Sequence, residues 1–290
     1  MNIRPSTLTL PTRRHNLPHK FVCFAPCTNA LPLEATKMPL TPEQVQAAYY
    51  ERTASSYDET HTSDEDAEHY IALEFIDAIS ETLKLHSFLD VGAGTGRGVR
   101  YLLARGKTDV HGIEPVRKLI EQGEQQGVPS GLVIEGSGTS LPFENKSFDA
   151  VFECGVLHHV ARPDKVVAEM LRVARKAVFI SDSNRFGQGR SYSVRLLKLA
   201  LYKAHLWNAA RYLQTRGKMF RISEGDGLYY SYSVFDSYRQ VAAWADKVWT
   251  LPTSDDRPGK SWLHPLTTSS HVLLCALRAS ASDDTQTAES

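Results

Sequence analysis

Between residues 87 and 182, short apolar runs alternate with amphipathic stretches, a pattern that few folds tolerate. The runs are Ser87 to Val91, Val110 to Glu114, Leu132 to Glu135, Phe148 to Glu153 and Ala177 to Asp182. Helical patterns lie between most of them, at Gly96 to Arg105, Pro115 to Gln126 and Pro163 to Ala174. Near-continuous apolar strands are buried on both faces, and strand–helix alternation makes them parallel. The expected fold is therefore α/β, with a doubly wound, mostly parallel sheet. A helix near Asp236 to Asp246 and strands near Lys247 to Leu251 and His271 to Leu277 bring the strand total to seven. No internal repeat is visible.

Upstream of the alternation, Thr41-Pro42-Glu43 reads as an N-cap followed by proline at the first helical position. It predicts a short helix through Val45 to Tyr50, followed by a second from about Ser63 to Leu83 with Ile71, Phe75 and Ile79 on one face. The first 37 residues differ, with five prolines, five Lys/Arg and a single acid, Glu34. A disordered tail over 1–40 is expected. A targeting peptide is opposed by the prolines, and a start at Met38 is a third reading. A domain over 41–280 and a polar tail over 281–290 complete the expected organisation.

Composition narrows the function. There are 33 Lys+Arg against 33 Asp+Glu, so there is no global bias toward nucleic acid. No apolar run is long enough to span a membrane. Cys23, Cys27, Cys154 and Cys275 form neither a zinc spacing nor a disulfide framework, which suits a reducing, cytoplasmic setting with no structural metal. One stretch breaks the balance: residues 183–223 hold nine Lys/Arg and no acid. Within it, Val194 to Thr215 reads as an amphipathic helix with Leu197, Leu201 and Ala204 on one side. The segment 183–235 is expected to be a helical lid over an acceptor pocket, with its bases favouring an anionic acceptor or an anionic membrane surface. The competing expectation is an apolar face packed on the sheet beneath solvated bases.

The residues with most chemistry in them are Phe88-Leu89-Asp90-Val91-Gly92-Ala93-Gly94-Thr95-Gly96-Arg97-Gly98, a strand running into a glycine turn that opens a helix. Such a turn sits at the carboxyl ends of the strands, where open α/β sheets bind ligands. The dinucleotide fingerprint GxGxxG fails in both registers, because Arg97 and Val99 occupy the third glycine position. A ligand without a pyrophosphate is favoured. Glu114 ends the next strand, 22 positions after Gly92, where a carboxylate can accept both hydroxyls of a ribose. Further on come Gly136-Ser137-Gly138-Thr139-Ser140-Leu141-Pro142-Phe143, Ser147 to Cys154, and Leu157-His158-His159-Val160.

Together these motifs resemble the class I S-adenosylmethionine-dependent methyltransferases, and among them the small-molecule, methyltransferase type 11-like group, over roughly residues 45–182 and the closing strands. The resemblance implies a seven-stranded Rossmann-like fold with an insertion after the fifth strand, and S-adenosyl-L-methionine as cofactor. It implies that Asp90, Gly92, Ala93, Gly94 and Gly96 hold the methionine part and Glu114 the ribose. Ser137, Gly138 and Thr139 would flank the adenine, with Ser137 standing where the family commonly has an acid. Glu153 and Cys154 would face the cofactor from the fourth strand. Residues 50–58, with Tyr57, resemble a lid helix. His158 and His159 stand where the methyl should point; of the two, His159 is the candidate general base. Tyr residues at 229, 230 and 232 suggest a shaped acceptor loop, and a turn feeding a surface strand explains them nearly as well. The expected function is methyl transfer to a small organic acceptor. An RNA-modifying methyltransferase and a non-catalytic cofactor-binding regulator are the alternatives.

Overall fold

The computed structural model describes residues 41–54, 67–189, 191–223, 227–254 and 261–279. The expectations for the tails 1–40 and 281–290, for Tyr57 and for the helix start at Ser63 lie outside the described residues.

The elements run α1 (Pro42–Thr53), α2 (Ala67–Leu83), β1 (Ser87–Val91), α3 (Arg97–Ala104), β2 (Asp109–Glu114), α4 (Arg117–Gln125), β3 (Val133–Glu135) and β4 (Phe148–Cys154). After a 3-10 turn (Leu157–His159) come α5 (Pro163–Val173), β5 (Ala174–Ser183), α6 (Tyr192–Lys203), α7 (Trp207–Gln214), β6 (Phe220–Ser223), β7 (Gly227–Tyr230), α8 (Val234–Trp244), β8 (Lys247–Pro252) and β9 (His271–Leu277). The main sheet has seven strands in the order β3-β2-β1-β4-β5-β9-β8. β1 through β5 pair in parallel, and β9 runs antiparallel between β5 and β8. No helix among the described residues is long and apolar enough to cross a membrane.

Alternation of side chains along the strands builds a core on each face. On one face Leu89, Val151, Val178, Ile180 and Leu274 pack beneath Val166, Val167 and Met170 of α5 and Val234 and Val241 of α8. On the other, Phe88, Phe152, Phe179 and Cys275 meet Leu73 and Ile76 of α2 and Val99 and Leu102 of α3. The sheet is thus doubly wound, as the apolar runs imply. The strand order reverses between β1 and β4, which opens a crevice at their carboxyl ends.

The insertion after β5 differs from the expected single helix. The chain leaves α6 at Lys203, and His205 takes a left-handed conformation with φ 60°. Leu206 N–H donates to Leu201 O at 2.8 Å and His205 N–H to Tyr202 O at 3.0 Å, which closes α6 with a Schellman cap and starts α7 in a new direction. A β6–β7 hairpin follows, in place of an all-helical lid. The faces also differ from the sequence reading. Leu197 is exposed, whereas Arg195 and Arg211 are buried. Arg195 donates to Gly189 O at 2.8 Å and Thr267 O at 3.3 Å, carbonyls that water would otherwise have to satisfy.

Candidate functional site

The glycine turn closes around β2. Gly92 N–H and Ala93 N–H both donate to Ile113 O, at 2.8 and 3.0 Å, and Gly96 N–H donates back to Ala93 O at 2.8 Å. Gly92, Gly94 and Gly96 have φ of 77°, 57° and 78°, a region closed to most side chains. At Gly92 a Cβ would also lie 2.5 Å from Val156 Cγ2. The turn and the end of β4 line a small cavity with Asp90, Gly92, Ala93, Thr95, Arg97, Gly98 and Cys154.

Two carboxylates flank this cavity. Glu114 Oε2 accepts Gly94 N–H at 2.9 Å and Oε1 accepts Val116 N–H at 3.0 Å. Each oxygen keeps a lone pair for a further donor. Burial raises the Glu114 carboxyl to about 7 despite these bonds. Burial likewise raises Asp90 to about 7, against the pull of Arg97 and with help from Glu114. Asp90 is wedged in place: a Cβ on Gly98 would lie 2.4 Å from its Oδ2. Burial also pushes the Cys154 thiol well up, so it is no thiolate nucleophile at neutral pH.

The ends of β4 and β5 carry a second polar group. His158 Nδ1 meets Asp182 Oδ1 at 2.8 Å, and His158 N–H donates to Asp182 Oδ2 at 3.2 Å. Ser183 N–H also donates to Asp182 Oδ1. Burial alone would raise the Asp182 carboxyl; its pairing with His158 and the hydrogen bond from Ser183 overcome it and hold the group down. Beside it, burial and the Asp182 charge push Glu153 well up. Asp182 is therefore held toward its charged form and Glu153 toward its neutral one. Val156 N–H donates to Glu153 Oε2 at 2.8 Å, while the buried Glu153 Oε1 has no hydrogen-bond partner. His69 of α2, half-buried, is pushed well toward its neutral form, chiefly by desolvation and then by Arg97, and its buried Nδ1 also lacks a hydrogen-bond partner. Unsatisfied buried polar atoms are costly, and two so close to the crevice suit a site completed by a ligand.

His159 is placed differently. Its Nδ1 lies 2.7 Å from Leu228 O and 3.2 Å from Gln46 Nε2, and its Nε2 lies 3.1 Å from Tyr50 OH. Gln46 and Tyr50 stand one turn apart on α1, and Gln46 Oε1 accepts Leu228 N–H of β7 at 2.6 Å. α1, β7 and the His159 turn are thereby tied together over the strand ends.

The structure gathers Asp90, Gly92, Ala93 and Cys154 around one cavity, with Gly94 and Gly96 in the same turn, Glu114 bonded to that turn from the end of β2, and Glu153 on the adjoining strand β4. Ser137 and Thr139 lie beyond β3 in an exposed turn, their hydroxyls 2.8 Å apart. Sequence reasoning did not single out Asp182, His69 or Gln46, which the structure brings to this region. Asp182 carried a signal, a carboxylate closing an apolar run as Glu114 does. The helical positions of His69 and Gln46 carried none, because their partners lie far along the chain.

Residues 89–180 match the family model described as a methyltransferase domain. An uncharacterized methyltransferase of Mycobacterium marinum is 28% identical over 186 residues, covering 64% of this chain and 70% of that protein. One from Mycobacterium avium is 31% identical over 160 residues, 49% of this chain and 59% of that one. Among solved structures, magnesium protoporphyrin IX methyltransferase from Synechocystis, with bound SAH, superposes with a TM-score of 0.54 at 14% identity, covering 82% of this chain and 100% of that one. At that identity the likeness speaks for the fold.

Proposed function

We propose that this chain, a member of the class I S-adenosylmethionine-dependent methyltransferase family, moves a methyl group from S-adenosyl-L-methionine to a small organic acceptor. The observation that carries the reading is the set of buried acids, Asp90 and Glu114 beside a glycine turn, with Asp182 at a neighbouring strand end. A ligand with a ribose and positive charges suits that set, because desolvated carboxylates favour a cation and a sugar diol. Glu114 would take the ribose hydroxyls, and Asp90 with the turn would take the amino-acid end. When bound, the cofactor supplies a methyl group already activated by its sulfonium. The protein has to hold the acceptor in line and keep water out. α1 and β7, joined through Gln46 and His159, stand where they can cover the reacting atoms.

For the proton of an oxygen or nitrogen acceptor, we favour His158 over His159 as base. The Asp182 carboxylate on Nδ1 fixes the tautomer that offers Nε2 as acceptor, whereas His159 serves the α1–β7 closure. A reducing, cytoplasmic setting is proposed with it, from the lack of any disulfide spacing among the four cysteines of the sequence.

Isothermal titration and thermal melts test the cofactor. S-adenosyl-L-methionine should bind and raise the melting midpoint, and NAD should do neither. A response to NAD alone would end the methyltransferase reading. For the base, His158→Gln should cut kcat by roughly 10²-fold or more and leave cofactor affinity within about twofold. His159→Gln should act mainly through weaker binding. If the two variants exchange these behaviours, His159 is the base.

Association with an anionic membrane is proposed as a second property of the insertion. Leu197, Leu213 and Ile222 are exposed there, and so are Lys203, Arg216 and Lys218. Arg195 and Lys198 stay out of this face, because their side chains are spent on carbonyls of the protein itself. Replacing Lys203, Arg216 and Lys218 with Gln should weaken sedimentation with phosphatidylserine vesicles at low salt, the difference fading as salt rises. Equal sedimentation at low salt would remove the membrane from the proposal.

A further inference from the structure

Between the insertion and the segment after the His158–His159 turn lies a cavity of about 330 Å³. Tyr202, Trp207, Tyr230 and Tyr232 wall it, and Val160 and Ala161, the residues directly after the His158–His159 turn, complete it. Its volume is at the lower end of the range for small-molecule sites.

Arg185 lines this cavity and is 5% exposed. Its guanidinium carbon lies 5.1, 5.4 and 5.6 Å from the ring centroids of Phe186, Tyr202 and Trp207, an aromatic cage that positions the cation. One terminal nitrogen donates to Ser231 O at 2.6 Å and the other to the Asp236 carboxylate. The buried Nε has no partner. Arg211, 7% exposed on α7 one turn beyond Trp207, is close enough for its charge to oppose that of Arg185. Its Nη1 donates to the neutral Gln214 Oε1 at 2.8 Å, and its buried Nε is also without a partner. Lys198, half-buried nearby, donates to the carbonyls of Arg185 and Gln188, both at 3.0 Å. Asp236 is the one carboxylate that pairs with any of these three cations among the described residues.

Removing cations from water without matching anions is expensive, and a fold that buries two arginines around one acid leaves positive charge uncompensated. The two orphaned Nε–H groups are donors with no acceptor. Planar aromatic walls and planar guanidinium groups together suit a flat, anionic molecule, since a guanidinium pairs with a carboxylate through parallel hydrogen bonds.

We propose that this cavity is the acceptor subsite and that it takes a flat, apolar molecule carrying a carboxylate, with Arg185 receiving the carboxylate, Arg211 adding positive charge from behind the cavity wall, and Tyr202 and Trp207 facing the rings. The proposal rests on the methyltransferase reading, because the cavity adjoins the turn that carries His158. It names the acceptor class that the reading leaves open: an aromatic or conjugated acid methylated at a site away from its acid group.

The probe is 2-naphthoate, with its neutral amide 2-naphthamide as control, titrated into the full chain with and without S-adenosyl-L-methionine and followed by ligand-observed NMR. The acid should bind at least about tenfold more tightly than the amide, as expected for a charge-assisted pair in a desolvated site. Arg185→Gln should erase most of that preference, leave amide binding in place, and leave S-adenosyl-L-methionine affinity unchanged. Arg211→Gln, which removes charge behind the wall, should weaken the preference severalfold and decides the matter if Arg185→Gln does not fold. Equal binding of acid and amide, absence of acid binding, or an acid preference that Arg211→Gln leaves undiminished overturns the subsite. Failure of S-adenosyl-L-methionine to bind while the acid preference holds would instead strike the methyltransferase reading, so the two are separable.

Discussion

Asp90 and Glu114 are the residues at which pH and ligand meet. Burial lifts both carboxyls to about 7, whereas in the unfolded chain they ionise near 4. Between those values the folded state holds protons that the unfolded state has released. Stability therefore falls as pH rises from about 4 to about 7 and then levels off. The ligand-free protein should melt at a lower temperature at pH 8 than at pH 5.5, once contributions from other groups are fitted with Asp90→Asn as a reference. Binding of a cationic cofactor that pairs with the ionised forms should release protons. Titrations near pH 6.5 in buffers of different ionisation enthalpy should give different apparent heats, and identical heats would contradict this placement of the two acids. The glycines make equally local predictions. Gly94→Val forces a branched side chain into a left-handed turn, which costs about 1–2 kcal/mol, and should abolish cofactor binding while the fold survives. Gly98→Ala should act through Asp90, since the new methyl lands on its carboxylate. A crystal structure with Asp90 unmoved and unchanged cofactor affinity would show that this contact does not position it.

The insertion shows how single elements departed from their sequence pattern. An amphipathic period over Val194 to Thr215 says which residues share a side, but not whether that side meets protein. Here the side with Leu197 meets solvent, and Arg195 turns inward to bond carbonyls at the ends of two loops, Gly189 and Thr267. Arg195→Gln should accordingly lower stability by about 1–3 kcal/mol, the cost of unsatisfied buried acceptors. Lys203→Gln, on an exposed position, should stay within about 0.5 kcal/mol. Urea titration of both variants checks the pair; equal midpoints would mean that Arg195 is not a strut. The break at His205 left no trace in the sequence because the residue in the left-handed position is neither Gly nor Asn. What stops α6 there is a pair of backbone bonds that any residue can make at some cost in strain. The hairpin at β6–β7 was half visible, as a turn feeding a surface strand. Its attachment to α1 through Gln46 was not visible, because a glutamine at a helical position has no partner until the chain folds back on it.

At the scale of the whole chain, 33 bases balance 33 acids and the isoelectric point is about 7.2. Solubility at low salt should pass through a minimum near pH 7 and rise on either side, which light scattering across pH can check; a flat profile would mean that charge patches, and not net charge, govern association. The chain's alternating apolar runs determined the doubly wound sheet by themselves, because strands buried on both faces and joined by helices have few other ways to hide their side chains. The glycine turn and Glu114 were equally legible. Their geometry depends on backbone freedom and a strand end, and both are local properties of sequence. Tertiary structure alone decided the rest: the His158–Asp182 pair, His69 beside it, the turn of Arg195 and Arg211 to the inside, and the aromatic cage around Arg185. Each of these joins groups from separate elements, and burial changes what each group can do. A charge that is a solvated surface feature in the sequence becomes, once desolvated, a demand for a partner.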